Sequence, residues 1–386
     1  MPGRILETVR LARVLPEIYV YRDLLEALRR YAGYRDGNWD TPGANDYQDT
    51  FYLYPYDWRK DNVENARELV RRIERLKSKL QRPDLKFNIV AHSMGGLISR
   101  YASMYGDADL PEGEGPIQPT WAGAAHISKI VMIGVPNEGS TDAFASLLEG
   151  YSVTEGLRRR VPLLNKLSAE DIVTTPSVFQ LLPHREVVKF LDENLQPIQI
   201  DLYDPEVWKR YGWSVIHSSP DFRRRHEPAV ATNGDGGGDH LDAYLAAVLK
   251  RARRFHQALD SVESTTSPVV LLAIGGDCEE TLNSPVIMRD EKRNRWVTLT
   301  RPREYRTSSG VKISKRQTTE AMYIPGDGRV TRSSLLGENL FKTRDSVTGF
   351  TLSRYAVFGC DLHGQLQRNK TLQDNALTAI VGEVVN

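Results

Sequence analysis

Cysteine is nearly absent from this chain: among 386 residues there are two, Cys278 and Cys360. Two thiols make neither a multi-bridge framework nor a four-cysteine zinc site. A single bridge between them stays open, while such sparse thiol usage favours a reducing, cytoplasmic setting. No run of about 18 apolar residues occurs, so no membrane-spanning helix is expected. The first residues lack the apolar core of a secretory leader. Charge of one sign is lacking too. The 51 Lys and Arg against 50 Asp and Glu leave a net charge of +1, so no bulk field draws the chain to nucleic acid. There is no internal repeat. The acidic loop Asn233-Gly234-Asp235-Gly236-Gly237-Gly238-Asp239 lacks the spacing of an EF-hand. No metal and no cofactor are expected.

What is present is ordinary globular material, 40% hydrophobic and 26% charged, on a chain long enough for a large core and an insertion. Leu24–Tyr31 reads as a short helix, residues 33–49 as loop, and Phe51–Tyr54 as a strand. Asp61–Leu80 is an amphipathic helix with Asp61 as N-cap and Ala66, Leu69, Val70, Ile73, Leu76 and Leu80 on one face. Phe87–Ala91 and Ile127–Val135 are apolar strands flanking a further helical pattern. Strands and helices alternating in this way argue for a parallel sheet covered on both faces. Beyond Pro136 helices predominate until Val269–Ile274 returns as a buried strand. Glu320–Ile324 and Tyr355–Gly359 read as further strands, and Thr371–Val381 as a closing helix. The expected organisation is one α/β core, residues 1–137 and 267–386, interrupted by a helical cap over 138–266. Arg158-Arg159-Arg160 and Arg223-Arg224-Arg225, within that insertion, read as solvated faces.

The chemistry concentrates at Ala91-His92-Ser93-Met94-Gly95-Gly96. An apolar strand runs into Ser93 and a helical pattern runs out of it, which is the setting of a nucleophile elbow. Ala91 and Gly95 are small enough for strand and helix to approach closely. The helix beginning after Ser93 aims its first N–H groups at the site, where negative charge is favoured.

A serine nucleophile needs a base and the base needs a carboxylate, in the chain order Ser, acid, His. Of eight histidines, only His363 comes after the last expected core strand, and it is the candidate base. His92 adjoins Ser93, but neighbours at such a turn point apart, so it is a poor base. His126, His184, His217, His226, His240 and His256 read as structural. Two acids compete, Asp327 in Gly326-Asp327-Gly328-Arg329-Val330 and Asp277 in Gly275-Gly276-Asp277-Cys278. Each comes directly after a strand, and the glycine-flanked frame inclines the choice to Asp327. An oxyanion hole would use the N–H of Met94 and, from the loop Pro2-Gly3-Arg4, a donor near Arg4.

Taken together these stretches resemble the lecithin:cholesterol acyltransferase-like branch of the α/β-hydrolases. The resemblance rests on Met1-Pro2-Gly3, Pro55-Tyr56-Asp57-Trp58-Arg59, the elbow, and Ile133-Gly134-Val135-Pro136 with Gly139-Ser140. It continues in Pro176-Ser177-Val178-Phe179-Gln180-Leu181-Leu182-Pro183, Tyr211-Gly212-Trp213-Ser214, Gly326-Asp327-Gly328-Arg329-Val330 and the region of His363. It implies an α/β-hydrolase fold with a Ser93, Asp327 and His363 triad and a cap that forms an acyl pocket. Trp58, in the Tyr-Asp-Trp-Arg stretch, is expected to contact substrate. Family members carry an apolar strand ahead of the Pro-Gly turn, where this sequence begins. Either the reading frame continues upstream or the sheet lacks that strand.

The expected activity is hydrolysis of a small-molecule or lipid ester through an acyl-enzyme. An alcohol acceptor would make the same intermediate an O-acyltransferase. A catalytically impaired, lipid- or partner-binding hydrolase fold is the alternative from another class, and an amide hydrolase shares the triad chemistry. No nucleic-acid partner is expected, and a peripheral lipid or membrane contact would use the cap.

Overall fold

We describe a computed structural model covering residues 8–9, 18–19, 21–113, 115–152, 166–184, 189–227, 240–261, 267–338 and 352–382. Its centre is four parallel strands, β1 (Phe87–His92), β2 (Ile127–Ile133), β3 (Val270–Gly275) and β4 (Arg354–Val357), hydrogen-bonded in the order β4-β3-β2-β1. The α/β fold expected from the alternation is therefore observed.

The two central strands, β2 and β3, are largely apolar because both faces are covered. Ile130, Met132, Leu271 and Ala273 face one core cluster, while Val131, Ile133, Leu272 and Ile274 face another. This is the two-residue alternation of a strand with burial on each side. Helices α2 (Asn62–Lys79) and α3 (Met94–Tyr105) cover the first face. Helices α1 (Arg22–Arg30) and α6 (Lys370–Val381) cover the second. Lys129, buried on β2, donates through Nζ to the carbonyls of Ala379 and Gly382 at the end of α6, a cation placed where a helix C-terminus favours it.

Helix α2 starts where its cap does. The Asp61 carboxylate accepts from the N–H groups of Val63 and Glu64. The same buried carboxylate accepts from Gln180 Nε2 at 2.6 Å and Arg251 Nε at 2.7 Å. Gln180 comes directly after Pro176–Phe179, and Arg251 lies on α5 (His240–Leu259), so one side chain ties the core helix to two segments of the insertion.

Helices predominate between β2 and β3, from α4 (Thr141–Glu149) to α5, around a core holding Phe144, Phe179, Trp208 and Trp213. These two tryptophans are 0% and 1% exposed. They fill the insertion's own interior rather than a substrate pocket. Two stretches differ from expectation. Residues 320–322 are helical, the end of Lys315–Met322, and the strand is Tyr323–Gly326. The helix is started by a capping box, in which Ser314 and Gln317 each bond the other's backbone N–H. A hairpin, Val286–Asp290 with Arg295–Leu299, lacks a strand signal in sequence because Arg289, Asp290 and Arg295 break its apolar pattern. It extends Phe190–Leu191 and Pro197–Ile198 of the insertion into a four-stranded sheet.

The expected strand Phe51–Tyr54 shortens to Thr50–Phe51. Arg223, Arg224 and Arg225 pair with Asp242, Asp221 and Glu170. Arg158-Arg159-Arg160 and the loop Asn233–Asp239 lie outside the described residues. No helix among the described residues is long and apolar enough to cross a membrane.

Asp61→Ala removes a cap and leaves Arg251 and Gln180 facing an apolar methyl. The expected loss is about 2–4 kcal/mol, read as a lower midpoint in urea or thermal unfolding. An unchanged midpoint would show that the tie contributes nothing.

Candidate active site

The four parallel strands all end at one edge of the sheet, and the site is assembled from the loops and turns at that edge. Ser93 comes directly after β1 with φ +53° and ψ −132°, a positive φ uncommon for a residue with a side chain. Its backbone N–H donates to Ile133 O at 2.9 Å, which fixes the turn to the neighbouring strand. Helix α3 begins at the next residue, Met94. The Met94 N–H is thus among the first-turn donors that have no carbonyl partner inside the helix. The close packing at the elbow lies one residue later than expected. A Cβ on Gly96 would stand 2.2 Å from a Val135 methyl, whereas one on Gly95 would meet nothing nearer than 3.6 Å.

Asp327 comes directly after Tyr323–Gly326 and is buried. Its Oδ1 accepts from Arg329 N at 3.0 Å and Val330 N at 2.8 Å, an Asx turn that fixes the carboxylate. Its Oδ2 faces His363 Nδ1 at 2.8 Å. The His363 N–H donates to the Asp327 carbonyl at 2.9 Å. His363 Nε2 stands 2.8 Å from Ser93 Oγ. The hydrogen bonds thus run Ser93 to His363 to Asp327, three side chains separated by 270 and 36 residues in sequence. Asp277, the rival acid, is half-buried after β3 while His363 Nδ1 takes Asp327.

Gly134, directly after β2, makes the meeting sterically feasible. Its φ is +56°, and a Cβ there would stand 3.2 Å from both Asp327 Oδ2 and His363 Nδ1. Gly134 belongs to the Ile-Gly-Val-Pro stretch, but its task has no sequence signal beyond being a glycine after a buried strand. Arg329 is likewise placed by contact: its guanidinium pairs with Asp142 of α4 at 2.6 Å, joining the loop of Asp327 to the insertion.

His92 differs from expectation. It is not beside Ser93 as a base, yet it does not point away from the site. It is half-buried against His363, with ring centroids 4.7 Å apart. Burial first, and then the neighbouring His363, hold its pKa well below the ordinary value. Four of the other described histidines have local polar partners. His126 meets Glu74, His184 meets Asp260, His217 meets Asp242, and His226 lies 2.9 Å from Phe222 O.

Ser93 opens into a cavity of about 1480 Å³ whose walls include Tyr54, Tyr56, Met94, Ile98, Val178 and Leu181. Trp58 also lines it and is 41% exposed. Tyr56 is half-buried, and desolvation raises its pKa, so it faces the cavity uncharged. Arg4, the expected second oxyanion donor, and the Met1-Pro2-Gly3 turn lie outside the described residues. Cys278 and Cys360 are joined, with Cα atoms 5.1 Å apart. Their bridge links the loops after β3 and β4 just ahead of His363, and it removes the thiol argument for a reducing setting. No group of three or more His, Cys, Asp or Glu among the described residues could hold a metal ion.

Residues 43–221 match the model of the lecithin:cholesterol acyltransferase family. Over that stretch the chain is similar to the lecithin:cholesterol acyltransferase family. No curated protein matches the chain. Among solved structures, a chain of the Tle4-Tli4 complex is similar at 14% identity, covering 88% of this chain and 71% of that one with a TM-score of 0.51. That likeness is one of fold. EstA from Clostridium botulinum matches at 13% identity over 78% of this chain and 66% of its own, with a TM-score of 0.30.

Gly134→Ala is expected to push His363 and Asp327 apart and lower ester turnover about 10²-fold, the scale of a small misplacement at reacting groups. Its backbone strain adds about 1–2 kcal/mol of destabilisation. Steady-state kinetics beside a melting curve checks both, and wild-type turnover would show that the glycine is dispensable.

Proposed function

We propose that the chain is a serine acyl hydrolase acting on lipid esters, with Ser93 as nucleophile, His363 as base and Asp327 as its orienting acid. The observation that carries this reading is the pair of 2.8 Å contacts at the two nitrogens of His363. With Nδ1–H donating to Asp327, Nε2 is left with a lone pair aimed at the Ser93 hydroxyl. His363 takes that proton as Oγ attacks the ester carbonyl, then gives it to the leaving alcohol. Asp327 stabilises the imidazolium without being protonated itself. The Met94 N–H faces the developing oxyanion, and a donor near Arg4 would complete the hole. Water then attacks the acyl-enzyme by the same proton path in reverse.

The lipid assignment draws on the family and on the cavity, which is large and mostly apolar around Ser93. Burial of an acyl chain in such a space is favourable by about 0.8 kcal/mol per methylene. In this reading residues 138–266 form the cap over a core of 1–137 and 267–386. Trp58, exposed at the cavity wall, contacts the incoming substrate. The family also supports a second reading, in which an alcohol rather than water accepts the acyl group.

Ser93→Ala is expected to lower kcat by roughly 10⁶, and Asp327→Asn by about 10⁴ through the wrong imidazole tautomer. Assays should compare short and long acyl esters, with and without an added long-chain alcohol. Retained turnover in Ser93→Ala would overturn the reading. A wild-type protein that binds these esters without turning them over would leave a lipid-binding hydrolase fold instead.

A further inference from the structure

His256 and His92 pack differently. His256 has no hydrogen bond at either ring nitrogen. In His92 each nitrogen meets a partner from a distant part of the chain. Nε2 lies 3.1 Å from the backbone carbonyl of His363, and Nδ1 lies 3.0 Å from the Tyr21 hydroxyl. A carbonyl oxygen only accepts, so Nε2 carries the hydrogen. In the neutral ring Nδ1 is then a bare acceptor, so Tyr21 donates to it. Tyr21 can do so throughout the working range, since burial first, and Tyr151 second, push its pKa up to about 12. Two partners thus fix one tautomer.

From this contact set we infer that His92 is a positioning residue for His363, holding its backbone carbonyl by Nε2–H and its ring by a tilted ring–ring contact. The inference rests on the proposed role of His363 as base. His363 is supplied by a loop, at the start of the short helix His363–Arg368. Asp327 holds its Nδ1 and its backbone N–H. The third handle, the carbonyl, is held by His92. Without it the residue can pivot about the Asp327 contacts, and Nε2 can leave Ser93.

Neutrality of His92 is the second part of the device. Among the described residues, Tyr21, at the start of α1, and His363 are the titratable groups that meet the His92 ring. Proton transfer from Ser93 makes His363 a cation. A charged ring with its centroid 4.7 Å away would oppose that step. Burial and the adjacent His363 hold the His92 pKa well below its ordinary value, so the neighbouring ring is uncharged when His363 accepts the proton.

The test compares two amides. In His92→Gln the amide nitrogen reaches the place of Nε2 and keeps the donor. In His92→Asn it reaches only the place of Nδ1, and the His363 carbonyl is left without its donor. The expected result is a fall in kcat of about tenfold or more for Asn, with KM little changed, and a kcat within about threefold of wild type for Gln. Tyr21→Phe, which releases the tautomer, should lower kcat by about threefold without moving KM. Equal kcat for Gln and Asn, or an effect confined to KM, would overturn the inference. Should melting curves show that His92→Asn does not fold, Tyr21→Phe decides, and an unchanged kcat there overturns it. A wild-type protein without ester turnover sinks the hydrolase reading and this inference together. Wild-type turnover that depends on Ser93 but not on His92 sinks the inference alone.

Discussion

The structure depends on one constraint: a serine held with φ +53° at the end of a buried parallel strand. An ordinary extended residue there would point its side chain out of one face of the sheet. The positive-φ turn instead lifts Oγ above the sheet edge and starts α3 beneath it. Such a conformation costs of order 1–3 kcal/mol and persists only where the surroundings over-determine it. Here the Ser93 N–H is fixed to Ile133, Gly96 is packed on Val135, and Ser93 Oγ is engaged by His363. Strand β2 is the common neighbour. It anchors the elbow through Ile133, and through Gly134 it leaves room for Asp327 and His363.

The insertion is joined to this core by polar ties as well as apolar packing. Asp61 binds Gln180 and Arg251, and Arg329 binds Asp142, all buried except Arg251, whose side chain is 39% exposed. Buried ionic ties are weak sources of net stability, because desolvation offsets most of their attraction. Their geometry is specific, however, and each joins an element of the core to one of the insertion. The Arg329 tie has a further consequence. It lies two residues from Asp327, so displacement of α4 would be felt at the carboxylate that orients His363.

Much of the fold is legible in the sequence because its signals are local. The runs Phe87–Ala91 and Ile127–Val135 are continuous stretches of apolar residues, which a strand covered on both faces requires. The helix after Asp61 carries both its cap and its apolar stripe in sequence. The hairpin Val286–Leu299 is not legible. One of its faces is polar, and its partners Phe190–Leu191 lie almost a hundred residues upstream. Residues 320–322 mislead because Ala321 and Met322 run on into Tyr323 and Ile324, while the capping box that starts their helix sits earlier, at Ser314.

At the site, Ser93, Asp327 and His363 can be named from motif, chain order and resemblance, and the geometry brings the three together. Gly134, Tyr21 and the contact role of His92 cannot, since each acts through proximity across the sheet edge. The turn geometry argues against His92 as the base, but it says nothing about a loop arriving from 271 residues away.

The most direct measurement is rapid acid quenching of the protein with an activated long-chain ester, and then peptide mapping in a mass spectrometer. The account predicts a transient acyl group on the peptide containing Ser93, formed within the first turnover. Ester turnover with no acyl-peptide, or with the acyl group on another residue, would contradict it.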